Sequence, residues 1–333
     1  MAGTWTYLET GSRDPCWNLA FEEYVLNCRR EGDYLLLWQN DNTVVVGQNQ
    51  NTEEEIDRAF VEEHHIRVVR RTTGGGAVYH DLGNLNYSFI TDAGETESLT
   101  MERFTGRVVR ALTGLGLRAE ASGRNDILVE GRKVSGTAQR LVRGRILYHG
   151  TLLFDSDPAM LSGALRAHPE KFRSKSAKSV RSRVGNIRPC LERDMTLEAF
   201  WAYLRRVLAG DLREDCLAPE ELAEVETLRR SKYATWAWTY GRSPAYDLQN
   251  RRRWPGGSLE VRLRVKEGTL EGIAFYGDFL SCRSLDPLTE ALRGCPFRRE
   301  EFGAVLDRFR LEEFFGTIRR EEVLDTVFYA GSV

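Results

Sequence analysis

No stretch of this 333-residue chain approaches the ~18 consecutive apolar residues of a membrane-spanning helix, so no membrane role is expected. The opening residues, MAGTWTYLETGSRDP, lack the basic and apolar regions of a secretory signal, and a cytoplasmic protein is expected. The six cysteines are scattered (16, 28, 190, 216, 282 and 295), with no CxxC pair and no histidine at metal-ligand spacing. Neither a disulfide frame nor a zinc site is indicated, and the cysteines read as reduced thiols. A cationic excess is also missing: the net charge is -2, which argues against bulk nucleic-acid binding. Lysine is scarce, since only six of the 47 basic residues are lysines (133, 171, 175, 178, 232 and 266) and none precedes residue 133. A Walker loop and a GxGxxG dinucleotide fingerprint are both absent.

What the chain does have is a glycine triplet led by two cations, running from Arg70 and Arg71 through Thr72, Thr73, Gly74, Gly75 and Gly76 to Ala77, Val78, Tyr79, His80 and Asp81. Three glycines leave the backbone without side-chain walls, so a phosphate or carboxylate can reach the amide N–H groups directly. The triplet by itself is equally compatible with a hairpin turn.

At 333 residues two domains are the better expectation: a large one over 1–248, a linker of turn-like composition over 249–257 and a small one over 258–333. Helical spacing appears from Trp17 to Arg29. Thr52 to Glu55 reads as a capping box opening a helix that runs to about Glu63. Strands are expected over Tyr34 to Gln39, Thr43 to Gly47, Ile66 to Arg70, Ile127 to Glu130, Lys133 to Gln139 and Arg145 to Phe154. Trp38 reads as a core residue rather than a pocket wall. Arg166 to Gly185 carries seven cations and four serines with almost no apolar periodicity. It reads as a loop that orders over a bound polyanion. Beyond residue 257, a hairpin and several short helices make a small α+β unit.

The run RRTTGGGAVYHDLGNLNYSF resembles the signature of lipoate–protein ligases of the A type. Three further stretches match in order: Asn125-Asp126-Ile127 leading to Lys133 through Gln139, His149 through Leu153, and Ser179 through Val184. The resemblance spans about residues 1 to 245 and implies an α+β fold, with mixed and antiparallel sheets packed against helices as in biotin and lipoate ligases. It also implies a small α+β accessory domain. The implied activity is ATP-dependent: free lipoate or octanoate becomes an acyl-adenylate with release of pyrophosphate. The acyl group then passes to a lysine of lipoyl domains in 2-oxoacid dehydrogenase acyltransferase subunits and of glycine cleavage H protein.

Four of the six lysines fall in segments that this resemblance assigns to the active site, where a compact, mobile ammonium is not replaceable by arginine. Lys133 is implied as the catalytic residue, bridging the acid's carboxylate and the α-phosphate. ATP is expected at Arg71, Gly76, Ala77, Val78, Tyr79, Lys133, Arg181 and Arg183. Lipoate is expected at Arg70, Thr73, Gly74, Gly75, His80, Lys133, Ser135, Gly136, His149 and Gly150. Asp126 is the carboxylate placed to hold Mg²⁺. Thr73 and Ser135 read as wall residues rather than nucleophiles, because no His-Asp pair is placed in sequence to activate them. The rival is an octanoyl or lipoyl transferase of the same fold, working through a cysteine thioester without ATP. It would need a cysteine within the core motifs, and none lies between Cys28 and Cys190.

Overall fold

The computed structural model describes residues 5–94, 101–123, 125–165, 184–210, 212–240, 248–266 and 268–328. Strand β1 (Trp5–Glu9) leads to helix α1 (Pro15–Cys28). Asp14 starts this helix by accepting from the Cys16 amide at 3.0 Å, with Pro15 in the first turn. Leu19, Phe21, Val25 and Leu26 of α1 are buried, each contributing about 1.5–3 kcal/mol of hydrophobic stabilisation. One turn apart on the same face, Asn18 and Glu22 are also buried, so polar chemistry is carried into the core.

Strands β2 (Asp33–Trp38) and β3 (Thr43–Val46) follow. The expected long helix from Thr52 is broken into α2 (Thr52–Glu55) and α3 (Arg58–Glu63). The reason is local: Thr52 Oγ1 donates to the Thr239 carbonyl at 2.5 Å and so makes no cap. Ile56 bridges to Leu165, and Asp57 caps a fresh start by accepting from Phe60 N at 3.0 Å.

Next come β4 (Arg67–Arg70), β5 (Val78–His80), β6 (Asn84–Asp92), α4 (Met101–Thr113), β7 (Ala119–Ser122), β8 (Asp126–Val129), β9 (Arg132–Val142) and β10 (Arg145–Leu153). The turn between β8 and β9 has left-handed backbone at Glu130 and Gly131 (φ 51° and 74°), the hairpin geometry of a two-residue loop. Helices α5 (Pro158–Ala164) and α6 (Leu197–Ala209), strand β11 (Leu212–Glu214), helix α7 (Pro219–Leu228), a π-helical turn (Arg229–Tyr233) and α8 (Trp236–Thr239) complete this part.

The main sheet has the order β11-β1-β2-β6-β10-β9-β8-β7. It is mixed: β1 runs parallel to β2 and β11, and the remaining pairs are antiparallel. Helices α4 and α6 cover one face and α1 and α7 the other, which is why β2, β6 and β10 are buried nearly throughout. A second sheet, β4-β3-β5, presents the glycine triplet at its edge.

The remaining strands, β12 (Leu248–Trp254), β13 (Gly257–Lys266) and β14 (Thr269–Gly277), form an antiparallel sheet with its own apolar core. Four short helices cover it: α9 (Asp286–Leu292), α10 (Arg299–Leu306), α11 (Leu311–Phe315) and α12 (Arg320–Val327). The stretch 249–257, expected as a linker, is instead largely β12 and the turn into β13, with Arg251 paired in register to Glu260. Its arginines suit an edge strand as well as they suit a hinge. Among the described residues no helix is long and apolar enough to cross a membrane.

Candidate active site

The cradle is the loop from Arg71 to Ala77, strung between β4 and β5. Its entry is fixed by Arg71 N donating to Val46 O at 3.0 Å and by Gln48 N donating to Thr73 O at 2.8 Å. Gly75 sits at φ 91°, a conformation that only glycine adopts without strain. Arg71 turns back under the loop: Nη2 donates to Gly74 O (2.7 Å) and Gly76 O (2.9 Å), Nη1 to Val45 O (3.1 Å) and Nε to Thr73 Oγ1 (3.0 Å). Burial lowers its pKa to about 10, so it stays charged at neutral pH. One Nη1 hydrogen is left over, and the side chain lines a solvent-open cleft of about 610 Å³.

Arg70, expected to bind lipoate, is fully engaged elsewhere. Its guanidinium donates to the carbonyls of Gly47, Gln48, Gln50, Trp238 and Thr239 and to Thr52 Oγ1, all at 2.7–3.0 Å, with 2 % exposure. It holds three chain segments together rather than a substrate. Tyr79 also departs from expectation. Strand alternation turns Val78 and His80 into the cleft and Tyr79 away from it, into an apolar cluster with Ile56 and Val61 and onto Asn42 Oδ1 at 3.0 Å. Thr73, Gly74 and Ser135 lie behind the cleft wall, whereas Gly75, Gly76, Ala77, Gly136, His149 and Gly150 line it.

Lys133 is the second residue of β9, opposite Leu128. The register slips between Ile127 and Leu128, leaving Val134 as the extra residue of a bulge, a device that re-aims neighbouring side chains. The ammonium reaches Asp126 Oδ1 at 2.6 Å and faces the cleft. Asp126 was expected to hold a metal; among the described residues no group of three or more ligating side chains gathers anywhere. Arg181 and Arg183, and the expected loop from Arg166 up to Arg183, lie outside the described residues. The described chain resumes beside Lys133, where Gly185 N donates to the Lys133 carbonyl at 2.9 Å.

The most informative cluster was invisible in sequence. β10 sets His149 opposite Ser88 of β6, and both meet Glu22 of α1. Trp38 Nε1 donates to Ser88 Oγ (2.9 Å), Ser88 donates to Glu22 Oε1 (2.6 Å), His149 Nδ1 lies 2.9 Å from the same oxygen, and His149 Nε2 lies 2.7 Å from Thr73 Oγ1. A His-Glu pair therefore does stand on Thr73, contrary to the expectation of none. Thr73 is nevertheless fully buried, which keeps it from acting as a nucleophile. Trp38 is buried in the core as expected and also lines the cleft, where with Leu19 and Val45 it makes one wall apolar. Only the 3.6-residue spacing of Asn18 and Glu22 on α1 could have pointed to Glu22.

His80 is held by a second amide chain. Asn18 Nδ2 donates to Asn40 Oδ1 at 2.9 Å, which turns the Asn40 Nδ2 toward His80 Nδ1 at 3.1 Å. The ring hydrogen is thereby placed on Nε2, a buried atom with no protein partner among the described residues, on a residue that lines the cleft. Burial first, then the Arg71 charge, push the His80 pKa down to about 3, so the ring is neutral.

The C-terminal unit closes on the back of the cradle. Gly75 N donates to Phe279 O (3.1 Å), Gly277 N to Asn49 O (2.7 Å), Asn49 Nδ2 to Ser281 Oγ (3.0 Å) and Leu141 N to Cys282 O (2.8 Å). Gly74 is required here, because a Cβ would sit 2.8 Å from both Phe279 O and Ser281 N.

Residues 14–209 match the family model of the lipoyl protein ligase A/B catalytic domain, and residues 243–327 that of the bacterial lipoate protein ligase C-terminus. The chain is 42% identical over 321 residues to lipoate-protein ligase LplJ of Bacillus subtilis (strain 168), covering 95% of this chain and 97% of that one. A crystal structure of lipoate-protein ligase A bound with ATP superposes with a TM-score of 0.62 at 29% identity, covering 72% of this chain and 99% of the other. A structure from the archaeal lipoylation system of Thermoplasma acidophilum, a bi-partite lipoate protein ligase and its E2 lipoyl domain, gives a TM-score of 0.62 at 32% identity over 74% of this chain and 100% of that one. Family models that account for both the cradle-bearing part and the C-terminal unit, together with a relative similar along nearly its whole length, establish that this chain belongs to the lipoate–protein ligase family.

Proposed function

We propose that the chain activates free lipoate, or octanoate, with ATP and passes the acyl group to a lysine of lipoyl domains in 2-oxoacid dehydrogenase acyltransferase subunits and in glycine cleavage H protein, working in the cytoplasm. The observation that carries this reading is that one cleft joins an apolar wall (Leu19, Trp38, Val45) to two cations, Arg71 and Lys133, and is lined by Gly75 and Gly76.

A carboxylate is a poor electrophile because its leaving group is oxide. In the first step a lipoate oxygen bonds to the α-phosphorus of ATP, the α–β phosphoanhydride bond breaks, and pyrophosphate leaves. Lys133, with three donors on a flexible stem, neutralises the two anions as they meet. Its pairing with Asp126 is partly exposed (side chains 35% and 23% accessible) and holds it by no more than about 1 kcal/mol, so substrate anions draw it away readily. Arg71 and the loop amides hold the phosphates, and His80 Nε2–H offers a neutral donor to the acid. In the second step the acceptor amine attacks the acyl carbon, AMP leaves with the bonding pair, and the amine loses a proton.

Mg²⁺ would bind chiefly through the phosphates, with Asp126 as a single protein ligand, a division usual for this ion. It supplies charge neutralisation on the departing pyrophosphate.

Pyrophosphate release from ATP with lipoate alone, followed by the mass increase of a lipoyl domain, tests the reading. Acyl transfer from a carrier protein without ATP would replace it with the transferase alternative, although no cysteine lines the cleft among the described residues.

A further inference from the structure

Two groups that can only donate hydrogen bonds stand at opposite ends of one buried chain: the Trp38 indole and the Arg71 guanidinium. Between them lie Ser88, Glu22, His149 and Thr73, and none of the six is more than 7 % exposed. Starting from the ends, one direction for each link gives every hydrogen an acceptor. Ser88 accepts from Trp38 and must turn its own hydrogen to Glu22. Thr73 accepts from Arg71, and His149 Nε2 at 2.7 Å is the acceptor within reach of its own hydrogen. His149 then carries its hydrogen on Nδ1, where Glu22 Oε1 receives it. This assignment leaves no hydrogen of the chain without an acceptor, and all links converge on one carboxylate oxygen. Glu22 itself does not line the cleft.

We propose that Glu22 is a positioning residue of the cradle: through His149 and Thr73 it fixes Arg71, whose Nη2 holds the Gly74 and Gly76 carbonyls and so sets where the loop's amides point. Without an acceptor-only group at this position, His149 is free to carry its hydrogen on Nε2. Thr73 then loses its acceptor, and the Arg71 Nε link competes with other arrangements. A neutral amide in place of the carboxylate has this effect, since its own N–H can face His149 Nδ1. The inference rests on the ATP-binding reading of the cleft only for its affinity readout.

The test uses the full-length protein. Nitrogen-15 NMR of the imidazoles in the wild type is expected to show His149 with its hydrogen on Nδ1, the less common tautomer of free histidine. Glu22→Gln is expected to move that hydrogen to Nε2 and to weaken ATP, measured by calorimetry, by about tenfold, with Glu22→Asp intermediate. If Glu22→Gln fails to fold, Thr73→Val breaks the chain at another link and must weaken ATP comparably, whereas Thr73→Ser, which keeps the hydroxyl, weakens it far less. A wild-type Nε2 tautomer, or unchanged ATP affinity in the folded Glu22→Gln or Thr73→Val protein, overturns the proposal. A wild type that binds ATP but releases no pyrophosphate with lipoate would sink the catalytic reading alone, and the affinity comparison would still decide this one.

Discussion

Trp238 and Arg70 hold each other by reciprocal bonds: Trp238 Nε1 donates to the Arg70 carbonyl at 2.8 Å, and Arg70 Nε donates to the Trp238 carbonyl at 3.0 Å. The segment carrying Trp238 lies beyond residues 14–209, the part matched by the catalytic-domain family model, yet it buttresses the strand that delivers the cradle. Lys232 extends the brace by sitting 4.2 Å from the Trp238 ring centre while donating to Glu23 on α1. Cradle, α1 and α8 therefore form one packed unit.

Arg70→Ala is expected to destabilise the protein by at least about 3 kcal/mol, because several buried carbonyls lose their donor at once. Arg70→Lys should recover little, since three donors on a point charge cannot reach six oxygens in a fork geometry. Urea midpoints measure this. A loss within about 0.5 kcal/mol for the alanine variant would show that Arg70 is not the brace described here.

How much of this was legible in sequence depended on whether the signal was local. The strands around the glycine triplet, the β8–β9 hairpin and helix α1 followed from period and turn chemistry, which act over a few residues. Lys133, Gly75, Gly76 and His80 were found through motif resemblance and do face the cleft. Arg70 and Tyr79 were misassigned for a physical reason. A motif gives neighbours in sequence, whereas the pleat sends alternate residues to opposite sides, and Arg70 meets carbonyls about 20 and 170 residues away. Glu22 had no local signal beyond its helical spacing from Asn18, because its partners His149 and Ser88 are 127 and 66 positions distant. The stretch 249–257 was misread because arginine, proline and glycine mark turns and edge strands alike.

Gly74→Ala is expected to loosen the C-terminal unit, because the added Cβ falls 2.8 Å from backbone atoms of Phe279 and Ser281, which cannot swing aside as a flexible side-chain tip can. Amide hydrogen exchange should show faster exchange at Gly75 and Leu141, whose N–H groups donate across this seam, with little change in the core of β13. Equal protection in both proteins would mean that the seam tolerates the methyl and does not depend on close approach.

His80 gives the fold an acid-side weakness. Its pKa is about 3 when folded against an ordinary value near 6.5, so between these values the unfolded chain binds a proton that the folded chain does not. Stability therefore falls as pH drops through this window, with a slope of up to about 1.4 kcal/mol per pH unit from this group. In His80→Gln, which cannot titrate, urea denaturation between pH 6.5 and 4 should show a slope smaller by up to one proton. An identical slope would mean that His80 protonates freely in the folded state.

Lys133 and Asp126 touch at 2.6 Å, yet the reaction needs them for different things, and paired variants separate the two roles. Lys133→Ala and Lys133→Arg should both fold and both lose adenylate formation by two to three decades, since a preorganised donor at a charge-developing centre contributes about 3–4 kcal/mol. The arginine variant fails because a planar fork cannot be drawn in between two converging anions as a compact ammonium can. Asp126→Asn keeps the shape and the hydrogen bond but removes the charge. If Asp126 serves the metal, this variant needs several-fold more Mg²⁺ for half-maximal pyrophosphate release and approaches the wild-type rate when Mg²⁺ is saturating. If Asp126 only restrains Lys133, the Mg²⁺ requirement stays put and the rate at saturation rises or holds, because a partly exposed ion pair costs little to lose. A magnesium titration of both proteins at fixed ATP and lipoate reads the difference directly, and we expect the shifted requirement. Near wild-type turnover in Lys133→Ala would remove the central lysine from the mechanism whatever the magnesium result.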